Sequence, residues 1–314
     1  MEDNYPLPPE EPASHVSYRP AEPQVPMVLL GQLAASLGFA MAGAALYQLI
    51  HQSAGWGAAV LTGVLAEDAP PEQRWPMRLL LVISQLSAFL LAGWATVRFF
   101  YGPPRAALAY LQARRWPAGR TVALGALMIL LAVPLVLYTY NLNQALPLPD
   151  TWRTQEADAE TTIKALLQMD TVWELLANLI LIAVLPALGE ELVFRGVVQQ
   201  QLLRRMQPGL AILLSAAIFS FVHFQFEGFL PRMLLGVLLG WLYWNFQNIW
   251  VPVAAHFVNN AVQVLGQYLY SRELSTVDLE QDVDVPWLAA AVSGLAVFAL
   301  LRWGEGMRAV SPKT

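Results

Sequence analysis

The chain has 314 residues, of which 56% are hydrophobic and only 13% are charged, and its formal net charge is −5. An average soluble domain has about 25% charged residues, so this composition argues against an ordinary soluble enzyme and predicts a membrane protein with several spans. The chain contains no cysteine, which excludes disulfides, thiolate metal sites and a cysteine nucleophile.

The N-terminal segment has no apolar character. Residues 1–26 contain seven prolines and several acidic residues, whereas a signal peptide begins with a basic region followed by an apolar one. A segment of this composition cannot bury enough apolar surface to fold. We therefore predict that residues 1–26 form a disordered, proline-rich cytoplasmic arm.

Eight apolar stretches follow, and each approaches the roughly 20 residues that cross the hydrocarbon core of a bilayer. They are Met27–Ile50, Leu79–Val97, Thr121–Tyr140, Val172–Gly189, Leu210–Phe224, Phe229–Trp244, Trp250–Leu269 and Pro286–Trp303. The shorter stretch Ala54–Leu65 predicts an interfacial or re-entrant piece. The expected fold class is all-α: a polytopic membrane protein with about eight transmembrane helices.

The loops between these stretches alternate in charge. Basic residues follow the second, fourth and eighth stretches, at Arg98, Arg105, Arg114, Arg115, Arg120, Arg204, Arg205, Arg302, Arg308 and Lys313. The intervening loops are acidic. Because loops rich in Lys and Arg stay on the cytoplasmic side, this pattern predicts that both termini are cytoplasmic.

Two adjacent glutamates, Glu190 and Glu191, end the fourth stretch. A charged residue at the centre of a membrane helix costs about 2.5–3.5 kcal/mol on insertion scales, which favours a functional role. Helix neighbours lie about 100° apart, so the two carboxylates face different directions. Arg195 is four residues after Glu191 and is predicted to pair with it. Glu190 is left as the catalytic candidate, and Pro186 predicts a kink one turn earlier.

Three further polar residues are expected near Glu190. His223 lies about as far after the turn at 206–209 as Glu190 lies before it, so a helical hairpin brings the two to the same height. His256 and Asn260 are four residues apart and share one helix face. We predict that all four side chains meet in one cavity in the cytoplasmic half of the membrane.

Two chemistries are consistent with these residues. Glu190 with a histidine can activate water as a general base, while a second histidine and Asn260 donate hydrogen bonds to an oxyanion. Alternatively, Glu190, His223 and His256 hold a zinc ion with one open position. The residues alone leave both open. A serine route is poorly supported, because Ser293 lacks the first glycine of a Gly-x-Ser-Gly sequence.

The polar residues form three spaced motifs, in order along the chain and each on a separate predicted span. They are Glu190-Glu191-x-x-x-Arg195, Phe219-x-x-x-His223 and His256-x-x-x-Asn260. This signature resembles that of the CPBP family, which comprises the type II CAAX prenyl endopeptidases and the bacterial Abi proteins of bacteriocin processing and immunity. The resemblance covers about residues 172–270. It implies an eight-helix intramembrane endopeptidase with a cavity open to the cytoplasm.

The resemblance also implies a role for each motif position. Glu190 and His223 would activate water, and His256 and Asn260 would form the oxyanion hole. The supporting positions would be Glu191, Arg195 and Phe219. By this reading residues 27–150 form N-terminal transmembrane helices, and residues 151–305 form the catalytic transmembrane bundle.

The expected function is therefore intramembrane peptide hydrolysis in a bacterial inner membrane. The expected partners are the lipid bilayer and a protein or peptide substrate that reaches the site from the membrane or the cytoplasm; no nucleic acid is expected. The expected cofactor is none, or zinc if the metal alternative holds. Two other functions stay open: a non-catalytic scaffold or regulator resembling immunity proteins, and an ion- or proton-coupled transporter.

Overall fold

A computed structural model describes residues 22–56, 63–275 and 285–310. Every regular element in these ranges is helical, which confirms the predicted all-α class. Most of the predicted N-terminal arm lies outside the described residues, as do residues 57–62 of the predicted re-entrant piece. The first helix begins at Val25, so it includes the last two residues of the predicted arm.

Ten helices follow one another along the described chain. They are α1 (Val25–Ala54), α2 (Pro71–Tyr101), α3 (Pro104–Tyr110), α4 (Gly119–Gln144), α5 (Asp150–Leu167), α6 (Val172–Leu203), α7 (Pro208–Phe221), α8 (Phe229–Phe246), α9 (Trp250–Ser271) and α10 (Trp287–Val310). An apolar helix stands at each of the eight predicted positions, and α3 and α5 are additional.

Five of these helices, α1, α2, α4, α6 and α10, are long and apolar enough to cross a membrane. The protein is therefore a multi-pass membrane protein. Helix α7 has 14 residues and so is about 21 Å long, less than the roughly 30 Å hydrocarbon core. The number of eight spans stays a prediction.

The outward faces of the long helices are apolar. Met41 of α1 is 75% exposed and Phe99 of α2 is 82% exposed, and many other leucines and valines point outward. In water a continuous surface of this kind would drive association. Lipid chains are themselves apolar, so the same surface is stable against them, which agrees with the membrane assignment.

Helix α6 lies inside the bundle and carries the two glutamates. It is interrupted by two π-helical turns, Leu179–Val184 and Phe194–Gln199, and α2 contains a third, Leu86–Leu91. Such turns shift the face that a helix presents, and they occur frequently at functional sites. The α-helical stretch Leu185–Val193 between the first two turns holds both glutamates. The irregularity expected at Pro186 is thus a π-helical turn that ends directly before it.

Close helix contacts fix this stretch against its neighbours. A Cβ atom at Gly189 would lie 2.9 Å from Cβ of Phe89, on the π-helical turn of α2. A Cβ atom at Gly236 of α8 would lie 2.9 Å from Cβ of Ala216 on α7. Small residues at such crossings allow the backbones of membrane helices to approach each other. Helices α2, α7 and α8 are therefore held tightly around the site.

Candidate active site

The predicted ion pair between Glu191 and Arg195 is present and fully buried. Oε1 of Glu191 lies 3.1 Å from Nη1 of Arg195, and the side chains are 0% and 1% exposed. Nη2 of Arg195 also donates to the carbonyl oxygen of Gly236, over 3.0 Å. The pair therefore joins α6 to α8, and its opposite charges compensate each other in a region without water.

His256 is held by the same carboxylate. Its Nδ1 lies 2.9 Å from Oε1 of Glu191. Because an ionised carboxylate only accepts hydrogen bonds, Nδ1 carries the hydrogen and the other ring nitrogen is directed elsewhere. That nitrogen, Nε2, lies 3.9 Å from Oε2 of Glu190. Glu191 thus orients His256 toward the neighbouring glutamate, an interaction between helices that the sequence did not predict.

His223 lies just beyond the end of α7, not inside a helix as the predicted span Leu210–Phe224 implied. The helix ends at Phe221, and Phe224 has a positive φ of 53°. The last carbonyl groups of a helix have no hydrogen-bond partner within the helix. One of them, the carbonyl of Phe219, accepts a hydrogen bond from Nδ1 of His223 over 2.7 Å. This bond leaves Nε2 facing Oε2 of Glu190, at 3.9 Å.

The Phe219 ring contacts both His223 and Arg195. Its centroid lies 4.9 Å from that of the His223 ring, in an edge-to-face contact. The guanidinium carbon of Arg195 lies 5.0 Å from the same centroid. Cation–π contacts of this kind are strengthened where water is excluded. Phe219 therefore packs between the buried ion pair and the histidine that faces Glu190.

Asn260 is anchored to the interrupted part of α6. Its Nδ2 donates to the carbonyl oxygen of Ile182 over 2.8 Å. In an α-helix that carbonyl would pair with the N–H of residue 186, which is a proline and has none. Nδ2 of Asn259 donates to Oδ1 of Asn260 over 2.9 Å and fixes the orientation of the amide. The second N–H of Asn260 stays available for another acceptor.

A cavity of about 680 Å³ brings the four predicted site residues together. Glu190, His223, His256 and Asn260 all line it. Most of the remaining wall is apolar, and about half of its apolar residues come from helices outside α6–α9: Leu81 of α2, Ile129, Leu130, Val133, Val136 and Leu137 of α4, and Ile163 of α5. A volume of this size falls in the range of ligand pockets. The site can therefore accommodate an extended apolar ligand beside its polar residues.

Five polar residues of this wall were not singled out from the sequence: Gln85, Tyr140, Arg232, Asn259 and Gln263. Arg232 carried a usable signal, because a charged residue within a predicted span is itself a functional candidate. Gln85 is separated from the motifs by about a hundred residues, so only the packing of α2 on α6 brings it to the cavity. Ser293 does not line this cavity, and its hydroxyl donates to the carbonyl oxygen of Leu131 over 2.6 Å.

The zinc alternative can be tested against these positions. The two imidazoles have their Nδ1 atoms engaged and their Nε2 atoms directed at a carboxylate, as in zinc sites. However, each Nε2 is 3.9 Å from Oε2 of Glu190, whereas tetrahedral ligands at about 2.0–2.1 Å from zinc lie roughly 3.3–3.4 Å apart. No group of three His, Asp or Glu residues in the described part of the chain is spaced to hold a metal ion. The described arrangement does not fit zinc.

Fold and site together define a multi-pass helical membrane protein in which a carboxylate and two imidazoles face a largely apolar cavity. Comparison with known proteins agrees with this class. Residues 172–262 match the family model described as Type II CAAX prenyl endopeptidase Rce1-like. This region contains all four predicted site residues, and the predicted resemblance to the CPBP family is confirmed.

One curated relative extends the comparison. The chain is 27% identical over 99 residues to the "Putative membrane peptidase YdiL" of Bacillus subtilis (strain 168). The aligned part is 32% of this chain and 41% of that protein, so this chain spans less than half of the relative it matches. No solved structure matches. These comparisons support a membrane protease at the level of family.

Proposed function

We propose that the protein is an intramembrane endopeptidase that hydrolyses a peptide bond with a water molecule activated by Glu190. The observation that carries this proposal is the convergence of Glu190, His223 and His256. Both Nε2 atoms lie 3.9 Å from the same carboxylate oxygen, and all three side chains line one cavity. A gap of this width between two hydrogen-bonding groups can be bridged by a small polar molecule such as water.

The proposed reaction begins with attack by that water on the carbonyl carbon of the substrate. As the new C–O bond forms, a proton passes from the water to Oε2 of Glu190, and the neutral Nε2 of His223 accepts the other O–H hydrogen bond. The tetrahedral intermediate carries its negative charge on the former carbonyl oxygen. When the C–N bond breaks, the proton held by Glu190 passes to the leaving amine and the carboxylate is restored.

The oxyanion would be stabilised by Asn260 and His256. Asn260 contributes the N–H that Ile182 does not use. His256 would donate from Nε2, since its Nδ1 is held by Glu191. Donors that are held before the reaction act most strongly where water is excluded. No metal is assigned a step, because the ligand spacing does not fit one.

The substrate and the location are also proposals. The apolar wall of the cavity favours a membrane-associated protein or peptide as substrate. We place the protein in a bacterial inner membrane. The distribution of basic loops supports an orientation with both termini on the cytoplasmic side. The site would then receive its substrate from the bilayer or the cytoplasm.

The direct test is hydrolysis of a quenched fluorescent peptide pool by the purified protein in detergent. Glu190→Gln and His223→Ala should each lower the rate by about 10²–10⁴-fold, as expected for loss of a general base or its partner. The matched control is Gln263→Ala, which changes a polar residue of the same cavity outside the proposed chemistry. If hydrolysis survives both changes, the proposal is wrong. Ion flux through liposomes that requires no peptide substrate would favour the transport alternative instead.

A further inference from the structure

Arg232 places a cation in the wall of the cavity. It lies in the first turn of α8, which begins at Phe229, and it lines the same cavity as Glu190 and His223. The proposed chemistry of peptide hydrolysis does not use it. A guanidinium remains charged at all physiological pH values, and holding it in an apolar helical bundle is costly unless an anion compensates it.

Among the described residues, the side chain of Arg232 donates its hydrogen bonds to neutral groups. Nη1 of Arg232 donates to the carbonyl oxygen of Gln225 over 3.0 Å, and Nη2 donates to Oε1 of Gln225 over 2.9 Å. Across the described ranges, no carboxylate oxygen lies within 4.0 Å of its guanidinium. By contrast, Arg78 lies 2.9 Å from Glu174 and Arg195 lies 3.1 Å from Glu191. Arg232 thus lacks the carboxylate contact that these two buried arginines have.

The acidic residues that face this region are already engaged. Oε1 of Glu156, on α5, accepts the backbone N–H of Glu227 over 2.6 Å. Glu190 serves the proposed reaction. Neither residue forms an ion pair with Arg232 at the distances of the other pairs. The positive charge at the cavity wall is therefore available to a ligand.

The start of α8 adds to this positive charge, but its backbone supplies no free N–H group at Leu230 or Pro231 to bind an anion. A helix N-terminus carries a partial positive charge of about half a unit, so a cation placed there finds no compensation from the helix. The N–H of Leu230 is taken by Oδ1 of Asn143 at 2.8 Å, and Pro231 has no N–H. A Cβ atom at Gly228 would lie 2.9 Å from Nη2 of Arg232, so the glycine leaves room for the guanidinium. The guanidinium is thus the group that an anion would meet.

We infer that Arg232 binds a carboxylate of the peptide substrate and thereby determines which segments the site accepts. This inference rests on the proposed peptidase function. The carboxylate comes either from an Asp or Glu side chain or from the C-terminus of the peptide. Both present two oxygens, which match the geometry of a planar guanidinium group. Arg232 has further N–H groups that do not bind Gln225. The apolar wall would then bind the rest of the segment.

The test measures binding, so that it does not depend on turnover. Fluorescently labelled pools of short apolar peptides are titrated into the full chain carrying Glu190→Gln, in detergent. One pool has a free C-terminus, a second has a C-terminal amide and one Asp or Glu, and a third has a C-terminal amide and no acid. At least one carboxylate pool should bind about 10- to 100-fold more tightly than the neutral pool, and the one that does identifies the source. Equal binding of all three pools overturns the inference.

Substitutions then assign the preference to Arg232. Arg232→Gln should abolish the difference between the pools, whereas Arg232→Lys should retain part of it because the charge persists. Gln225→Ala is the matched control: it removes one hydrogen bond to Arg232 and keeps the guanidinium, so the preference should remain. If Gln225→Ala removes the preference as fully as Arg232→Gln, Arg232 acts only by holding the loop and the inference fails. Cleavage by the chain with intact Glu190 is scored separately, and its absence counts against the peptidase proposal alone.

Discussion

Oε1 of Glu191 lies 2.9 Å from Nδ1 of His256 and 3.1 Å from Nη1 of Arg195. A single carboxylate oxygen therefore holds both a cation of its own helix and an imidazole of α9. The adjacent Glu190 lines the cavity. The residue that positions the site and the residue proposed to perform the reaction are thus helix neighbours that face directions about 100° apart.

Glu191→Gln should destabilise the protein strongly. The substitution leaves Arg195 buried without its counter-charge and weakens the bond to His256. Removing one partner of a buried ion pair costs about 3–5 kcal/mol. Thermal unfolding of the purified protein in detergent should show a clear fall in midpoint temperature.

The matched control for this change is the double substitution Glu191→Gln with Arg195→Met, which removes the uncompensated cation. It should recover part of the lost stability but not hydrolysis, because His256 stays without its carboxylate partner. An equal loss of stability in the single and the double variant would contradict a role for the ion pair.

Removal of metal should leave hydrolysis unchanged. The spacing of 3.9 Å between each imidazole Nε2 and Glu190 is wider than zinc ligation requires. The measurement compares the rate of peptide hydrolysis before and after exhaustive dialysis against a chelator, with residual metal determined by mass spectrometry. A rate that falls with the metal content and returns on addition of zinc would refute the metal-free mechanism.

Gly189→Ala should destabilise the protein and lower its activity together. The added methyl group would meet Cβ of Phe89 at 2.9 Å and the backbone nitrogen of Leu90 at 3.3 Å, so α2 and α6 must separate. Overpacking of this kind costs about 1–3 kcal/mol. Because Glu190 is the next residue, the shift moves the proposed base as well.

The matched control is Gly209→Ala in α7, where a Cβ atom would meet nothing within 4 Å. Alanine favours a helix more than glycine does, so this variant should be as stable as the natural chain or slightly more so. Thermal unfolding and peptide hydrolysis should be measured on both variants. Equal behaviour of the two would show that the contact at Gly189 is not tight.

The attachment of α5 to the loop that carries His223 should weaken as the pH rises. Burial raises the pKa of Glu156 above its ordinary value, although its bond from the backbone N–H of Glu227 acts in the opposite direction. A raised pKa in the folded state means that the protonated form is favoured there. The resulting stabilisation is complete below the ordinary pKa of the carboxyl group and is lost as the pH rises through the raised value.

Glu156→Gln provides the comparison for this effect, since glutamine resembles the protonated acid at every pH. The midpoint of thermal unfolding should be similar for the two proteins at acid pH. As the pH increases, the midpoint of the natural chain should fall below that of the variant. A constant difference across the range would exclude titration of Glu156 as the cause.

Local relationships were predictable from the sequence, and relationships between helices were not. The pairing of Glu191 with Arg195 follows from their separation of four residues on one helix, and the structure contains it. The bond from His256 to Glu191 depends on the rotation of α9 against α6, which no local pattern specifies. The end of α7 before His223 was missed because the apolar sequence continues to Phe224 while the backbone turns.

The full extent of the cavity could not be predicted from the sequence either. The three motifs predicted which residues of α6, the α7–α8 turn and α9 converge, and Glu190, His223, His256 and Asn260 do line one cavity. The opposite wall comes from α2, α4 and α5, which contain none of the three motifs. Apolar composition determines that a helix is buried or faces lipid, but not which neighbour it faces. Gln85 therefore gave no sign of its position.

The reacting groups and about half of the apolar wall are supplied by different stretches of the chain. Residues 172–262 carry the proposed chemistry and match the peptidase family, whereas Leu81, Ile129 and Ile163 belong to the preceding helices. Substitutions in α2, α4 or α5 can therefore reshape the pocket without disturbing Glu190 or its partners. Chimaeras that exchange those helices between relatives would transfer the part of the selectivity that the apolar wall determines, while the hydrolytic centre and Arg232 stay the same.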